Sequence, residues 1–278
     1  MPANVAKAME TLKSQRMVSL NEYSEAYKIG INSAGQLFEE YVKDLLTGFT
    51  YETREKRLAA ISQEFSYIGN QNFPPDAIAR GGDAFEIKKH EKESGTIALN
   101  SSQPRDRLYS WDSRITSKCR AAVGPEWDSL DLFYVVGTVP GRTVKSIYFV
   151  QGKCYAAGPE IYESISNSVS ASVKRAIEDS GLENSRTTEL GRINRADPLG
   201  RASLRIRGMW QMADPSRAFA DIAPMKVEKE FYAYAILEKV KYESMEKDAP
   251  DVPAMDAKVP DPNNPARVID AIVMEVSW

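Results

Sequence analysis

Between Phe73 and His90 the chain reads FPPDAIARGGDAFEIKKH: an acid behind a proline, a short apolar run, a double-glycine turn, then an apolar run carrying Glu-Ile-Lys. Residues two apart on a strand share a face, so Glu86 and Lys88 project together while Ile87 faces the core. The turn folds Asp76 back beside Glu86. Two carboxylates and a lysine gathered this way suit hydrolysis of a phosphodiester with a hard cation. Mg²⁺ takes one or two carboxylates and keeps several waters. The ion lowers the pKa of bound water and stabilises charge on the transition state, while a lysine orients or deprotonates the attacking water. Asp76, Glu86 and Lys88 meet this specification, and Glu39, upstream, is a further candidate carboxylate. The spacing alone is a weak signal, because charges alternate on many solvated strands. What strengthens it is the apolar setting of Ala84, Phe85 and Ile87, since a half-buried acid beside a lysine is costly without a partner or a metal.

Composition narrows the chemistry. There is one histidine, His90, which excludes intrachain sites built on two histidines. Cys119 and Cys154 lack metal-ligand spacing and read as packing residues of a protein in a reducing cytosol. No run approaches the ~18 apolar residues of a membrane span, and the N-terminus has no signal-peptide pattern.

The elements that must position the site follow from periodicity. In NSAGQLFEEYVKDLLTG, Ser33 and Gln36 form a capping box, and Ala34, Leu37, Phe38, Tyr41, Val42, Leu45 and Leu46 make one apolar stripe. Gly48 is the stop, and Glu39 flanks the stripe. Residues 51–65 read as helical or mixed, 77–79 and 84–87 as a hairpin about Arg80-Gly81-Gly82-Asp83. Strands are predicted at 132–139 and 146–150 around Pro140-Gly141, and a helix from Pro159 to about Asp179. A strand is expected in FYAYAILEKVKY and another in VIDAIVMEV. Residues 248–267, with five prolines, read as a long loop. No repeat or linker stands out, so residues 1–278 read as a single α/β domain, with a catalytic core at about 33–158 and a distinct arginine-rich segment at about 184–217.

Between Arg186 and Arg207 six arginines face only Glu189 and Asp197, with no lysine. Arginine adds to phosphate attraction a planar fork that pairs bidentately with guanine. Arg192, Arg195, Arg201, Arg205 and Arg207 are therefore DNA-binding candidates, with Arg205 and Arg207 on one strand face preferred for reading bases. Asn100, Ser101, Ser102 and Arg105 open a second basic stretch placed to meet phosphates near the cut. Trp111, Trp127 and Trp210 read as core or interface residues rather than stacking platforms.

These residues carry a resemblance. Pro75-Asp76 with Glu86-Ile87-Lys88, behind a helix containing GQLFEEYV, resembles the PD-(D/E)XK nucleases. GGDAFEIKKHE, ALNSSQPRDRL, CYAAGPEIYE, TELGRINRADPLG and LRIRGMW resemble one branch, the NgoPII-like type II restriction endonucleases, over roughly Gly35 to Trp210. The resemblance implies a mixed β-sheet flanked by helices and Mg²⁺-dependent cleavage of double-stranded DNA, with Mn²⁺ able to substitute. It makes Asp76 and Glu86 metal ligands, Lys88 the catalytic lysine and Glu39 the helix acid. It also implies a short G+C-rich palindrome such as GGCC, read by a homodimer, and a cognate methyltransferase in the same cytoplasm. The alternatives are a structure-directed repair or recombination nuclease and a non-catalytic DNA-binding protein on the same scaffold. Residues after about 215 match no motif.

Overall fold

The computed structural model describes residues 2–48, 53–70, 73–92, 95–187 and 189–278. Tyr51 and Glu52, which open the stretch read as helical or mixed, lie outside them. The chain forms two compact units. The first comprises Met1–Ile97, Arg105–Ala156 and Ala213–Trp278; the second comprises Ala98–Pro104 and Ala157–Met212.

In chain order the helices are α1 (Val5–Gln15), α2 (Leu20–Ala26), α3 (Ala34–Thr47), α4 (Arg54–Glu64), α5 (Ser117–Val123), α6 (Pro159–Asp179), α7 (Pro215–Ala218) and α8 (Lys239–Glu243). The strands are β1 (Phe65–Asn70), β2 (Phe73–Ala79), β3 (Ala84–His90), β4 (Thr96–Asn100), β5 (Arg107–Tyr109), β6 (Ser129–Thr138), β7 (Ser146–Gln151), β8 (Gly191–Asn194), β9 (Ser203–Ile206), β10 (Trp210–Ala213), β11 (Tyr232–Glu238), β12 (Ala254–Asp261) and β13 (Asn264–Ser277).

The first unit is built on a sheet of order β1-β2-β3-β6-β7-β11-β13-β12, with β5 added along β6. β3 runs parallel to β6 and β7 parallel to β11, while the remaining neighbours are antiparallel. This is the expected mixed sheet flanked by helices. Leu12, Leu37, Phe38 and Val42 from α1 and α3 bury one face against Phe85, Ile87, Phe133 and Phe149. On the other face Phe219, Ala223 and Cys154 pack over Tyr148, Tyr232 and Tyr234.

α3 forms as its sequence dictates. The Ser33 hydroxyl accepts from the Gln36 amide at 3.5 Å, and Gly48 closes the helix at φ 72°, a left-handed geometry that favours glycine. Six of the seven stripe residues are buried; Ala34, at the first turn, is half-buried. Phe38 fixes how closely the helix lies on the sheet. A Cβ added at Gly137 of β6 would enter the Phe38 ring, so a strand-interior glycine lets α3 sit flush.

One expectation is corrected. Residues 248–267 do not form a long loop; most of them lie in the β12–β13 hairpin. The prolines are tolerated for positional reasons. β12 is the sheet edge, so Pro260 has no second partner strand to satisfy. Pro262 sits in the turn between Asp261 and Asn264, and Pro265 falls where the register shifts in a bulge. In the stretch read as helical or mixed, residues 54–64 form α4 and Phe65 opens β1; Trp111, expected in a core or interface, is 53% exposed in the single chain.

In the second unit, β8 and β9 form a hairpin that pairs Arg192 with Arg205. Gly191 lies against Val173 and Ile177 of α6, where an added Cβ would meet them at 2.7 and 2.9 Å. Pro159 opens α6 at its first turn.

The Gly137–Phe38 contact yields a prediction. Gly137→Ala should lower stability by about 1–3 kcal/mol in urea denaturation, as overpacked cores do, and pairing it with Phe38→Leu should recover part of the loss. An unchanged midpoint in Gly137→Ala would mean that the helix is not held this close.

Candidate active site

β2 and β3 pair at Ala77↔Phe85 and Ile78↔Ala84 around the Arg80–Asp83 turn, where Gly81 takes φ 67°. One residue further on, the ladder is broken by a side chain. Asp76 Oδ2 accepts the amide of Ile87 at 2.6 Å, in place of a backbone carbonyl. Asp76 is thereby held between the strands beside Glu86. Lys88 Nζ donates to Glu86 Oε1 at 2.6 Å, as two residues on one strand face permit.

Close approach of β1 completes the setting. A Cβ at Gly69 would collide with the Pro75 carbonyl oxygen and stand 3.2 Å from Asp76 Cα. Only glycine lets β1 bulge against the segment that carries Asp76. An open cleft of about 340 Å³ is lined by Gln36, Glu39, Glu40 and Lys43 of α3, by Gly69, and by Asp76 and Ile87.

The electrostatics report strong crowding. Burial, and then the neighbouring Glu86 charge, push the Asp76 carboxyl up to about 7, against relief from Lys88 and the Ile87 amide. Burial also raises Glu39, with Lys43 and Lys88 pulling the other way. For Lys88, burial disfavours the charge, but Glu86, Asp76 and Glu39 outweigh it and raise its pKa. Lys88 is therefore a cation at neutral pH and is better suited to orienting water and offsetting charge than to taking a proton.

Among the described residues no three His, Cys, Asp or Glu side chains are grouped so as to hold an ion on their own. The donor set nevertheless fits a hard divalent cation. Asp76 and Glu86 are adjacent carboxylates whose mutual repulsion is only partly relieved by Lys88, and Mg²⁺ uses one or two carboxylates plus water.

Glu40, next to Glu39, serves a different purpose. It pairs with Lys43 and with Arg57 of α4 at 2.6 Å. Arg57 also reaches Asp44 at 2.6 Å, and the Tyr23 hydroxyl donates to the same carboxylate. This buried network fastens α2 and α4 to α3.

The remaining candidates fall in several places. Asn100, Ser101 and Ser102 form a turn in the second unit, with Asn100 at φ 54° and the Ser102 amide bonded to the Leu99 carbonyl. Arg105 is buried in the first unit, where its Nε meets Asp112 at 2.6 Å. Arg192, Arg205 and Arg207 are brought together on the β8–β9 hairpin. Arg205 forks onto Glu189 at 2.6 and 3.0 Å, and Arg207 binds the same carboxylate. Arg195 and Arg201 are exposed on the turn joining the two strands, which Asp197 closes by accepting from the Leu199 amide at 2.9 Å and from that of Ala202.

Gly69, Gly137 and Lys43 did not stand out from sequence, and Gln36 did so only as a helix-capping residue. An isolated glycine in an apolar run, as in FYVVGTV, signals close approach. FSYIGN gives the same signal only once it is recognised as a strand.

With this geometry in hand, comparison with known proteins defines the class. The family model described as NgoPII restriction endonuclease matches residues 3–259. The chain is 36% identical over 276 residues, 96% of its length, to the type II restriction enzyme NgoPII of Neisseria gonorrhoeae, 97% of which is covered. No solved structure matches. The protein is a hydrolase of the type II site-specific deoxyribonuclease class. It belongs to the NgoPII restriction endonuclease family.

The raised Asp76 pKa gives a stability prediction. Its value of about 7 in the folded chain lies above the ordinary 3.8, so the folded state retains a proton that the unfolded state has lost. The metal-free protein should lose stability as pH rises between those two values, with no further change from this group above them. Asp76→Asn should remove that loss and be the more stable protein at pH 8, measured by thermal unfolding in EDTA. Parallel pH profiles for the two proteins would contradict the burial of a repelled carboxylate.

Proposed function

We propose that the chain is a PD-(D/E)XK endonuclease that hydrolyses both strands of double-stranded DNA at a short, G+C-rich palindrome, using Mg²⁺, with Mn²⁺ able to substitute. The observation that carries this reading is the convergence of Asp76, Glu86 and Lys88 at the point where β2 parts from β3. Asp76 and Glu86 would hold the ion, which when bound supplies an acidified water and offsets charge on the phosphate. Lys88, charged and tied to Glu86, orients the attacking water and faces the phosphate. Glu39 adds a carboxylate from α3, whose seating on β6 fixes its reach.

On this reading the two units act as one endonuclease. The segment at about 33–158 contains the chemistry, and the segment at about 184–217 reads sequence. Asn100, Ser101 and Ser102 meet phosphates, while Arg192, Arg195, Arg201, Arg205 and Arg207 supply the charge and the forks for base contact. A palindrome calls for a two-fold reader, hence a homodimer. A cognate methyltransferase protects host DNA in the same cytoplasm. Among the described residues no helix is long and apolar enough to cross a membrane.

Plasmid digestion tests this directly. Discrete fragments should form with Mg²⁺ and not in EDTA, and Asp76→Ala should abolish them while leaving much of the DNA affinity. Cleavage retained in Asp76→Ala would sink the assignment. Arg207→Ala should cost about 1–3 kcal/mol of discrimination between the cut site and random DNA. Equal loss on both DNAs would make Arg207 a phosphate contact.

A further inference from the structure

The stretch RDRLYSWDSRITSKCR contains five basic residues against Asp106 and Asp112, and carries an exposed tryptophan. Trp111 stands at the tip of a turn that follows β5. Its ring stacks on Tyr109, with centroids 4.9 Å apart and planes 28° from parallel. Tyr109 is itself fixed, because it pairs with Ser129 on β6 and its hydroxyl donates to Asp106 at 3.1 Å.

The turn is braced from beneath by arginines that sequence alone would assign to DNA. Buried Arg105 ion-pairs with Asp112 at 2.6 Å. Arg120 Nε donates to the Ser110 carbonyl at 2.7 Å, and its guanidinium also donates to the carbonyl of Asp112 at 2.5 Å. The Asp112 amide closes the turn onto the Tyr109 carbonyl at 3.2 Å. A large apolar side chain is thus held rigidly in the open, which is an unfavourable arrangement unless something covers it.

Register shows which face it occupies. Glu86 of β3 pairs with Tyr134 of β6, and paired residues on neighbouring strands project to the same side. The Tyr134 hydroxyl accepts from the Arg105 amide at 2.8 Å and donates to the Arg105 carbonyl at 3.1 Å. The segment that braces Trp111 therefore lies over the sheet face from which Glu86 and Lys88 project. Exposed Lys118 adds positive charge beside the turn.

We propose that Trp111 is a DNA-contacting side chain, its indole packing against a nucleobase or sugar of the duplex bound on the catalytic face. Tyr109 backs one side of the ring, leaving the other for the ligand. In a duplex the base faces are stacked on one another, so the indole meets deoxyribose or base edges in a groove, an apolar contact that adds affinity without reading sequence. The inference rests on the endonuclease reading.

The test uses the full chain in EDTA and a duplex fragment that the wild-type protein cuts when Mg²⁺ is present. The tryptophan emission lost in Trp111→Phe should be quenched as DNA is added to wild type. Trp111→Ala should weaken binding about 10-fold, as loss of a partly buried aromatic contact does, and Trp111→Phe less. The slope of affinity against salt should not change, since no charge is removed. Thermal unfolding and gel-filtration volume should match wild type. Unquenched emission with unaltered affinity would overturn the inference. A shift of Trp111→Ala to a smaller species would overturn it too, assigning the indole to a contact between copies of the chain. A wild-type protein that neither bound nor cut DNA would defeat the endonuclease reading first; intact wild-type binding with an unaffected Trp111→Ala defeats this inference alone.

Discussion

Asp76 and Glu86 are forced into one half-buried space, and the geometry of the first unit follows from that constraint. The β2–β3 ladder could have continued with backbone bonds; instead a carboxylate takes the Ile87 amide. That substitution parts the strands and leaves two acids side by side with one lysine. The Asp76 carboxyl, pushed up to about 7, records the cost. A chain selected for stability alone would place apolar residues here. The arrangement persists because the surrounding packing over-determines it.

The packing does this from three directions. β1 presses against the Asp76 segment through Gly69, α3 lies on β6 through Gly137, and α4 clamps α3 through Arg57. Adjacent glutamates on α3 divide the labour. Glu40 is neutralised by Lys43 and Arg57, which overcome its burial and hold its pKa down, so it belongs to the clamp. Glu39 stays raised, although both glutamates line the cleft. Removing one partner of a buried charge network leaves an uncompensated charge, typically worth 3–5 kcal/mol. The clamp therefore ties the position of Glu39 to the stability of the helical layer.

Much of this was legible in the sequence because local rules dominate there. The capped, striped α3, the glycine hairpin and the shared face of Glu86 and Lys88 each follow from periodicity and turn chemistry. The misread regions are those where tertiary position overrides propensity. Pro260 is acceptable only on an edge strand, a fact invisible until β12 is placed outside β13. Arg105, expected at phosphates, is buried and Trp111 is left exposed for one reason. The buried brace under a turn needs a cation for Asp112, and that need decides which residue points inward. Charge patterning cannot distinguish an arginine that meets phosphate from one that holds a loop.

The same ambiguity governs the second unit, where magnitudes favour base contact on the proposed reading. Arg192 lies opposite Arg205, a like-charge pair that a two-stranded hairpin would not choose for stability. Glu189 relieves it by binding Arg205 and Arg207. The pair is open to solvent, which screens it, so releasing it costs little. A guanine edge offers the same planar bidentate geometry to the fork and, once desolvated, gains about 1–3 kcal/mol of discrimination. On the proposed reading, Glu189 is then a placeholder that keeps the arginine forks extended and parallel until DNA replaces it. On that reading a wrong base would leave the fork worse served than the carboxylate did, so Glu189 contributes to specificity by setting the level that a base contact must exceed.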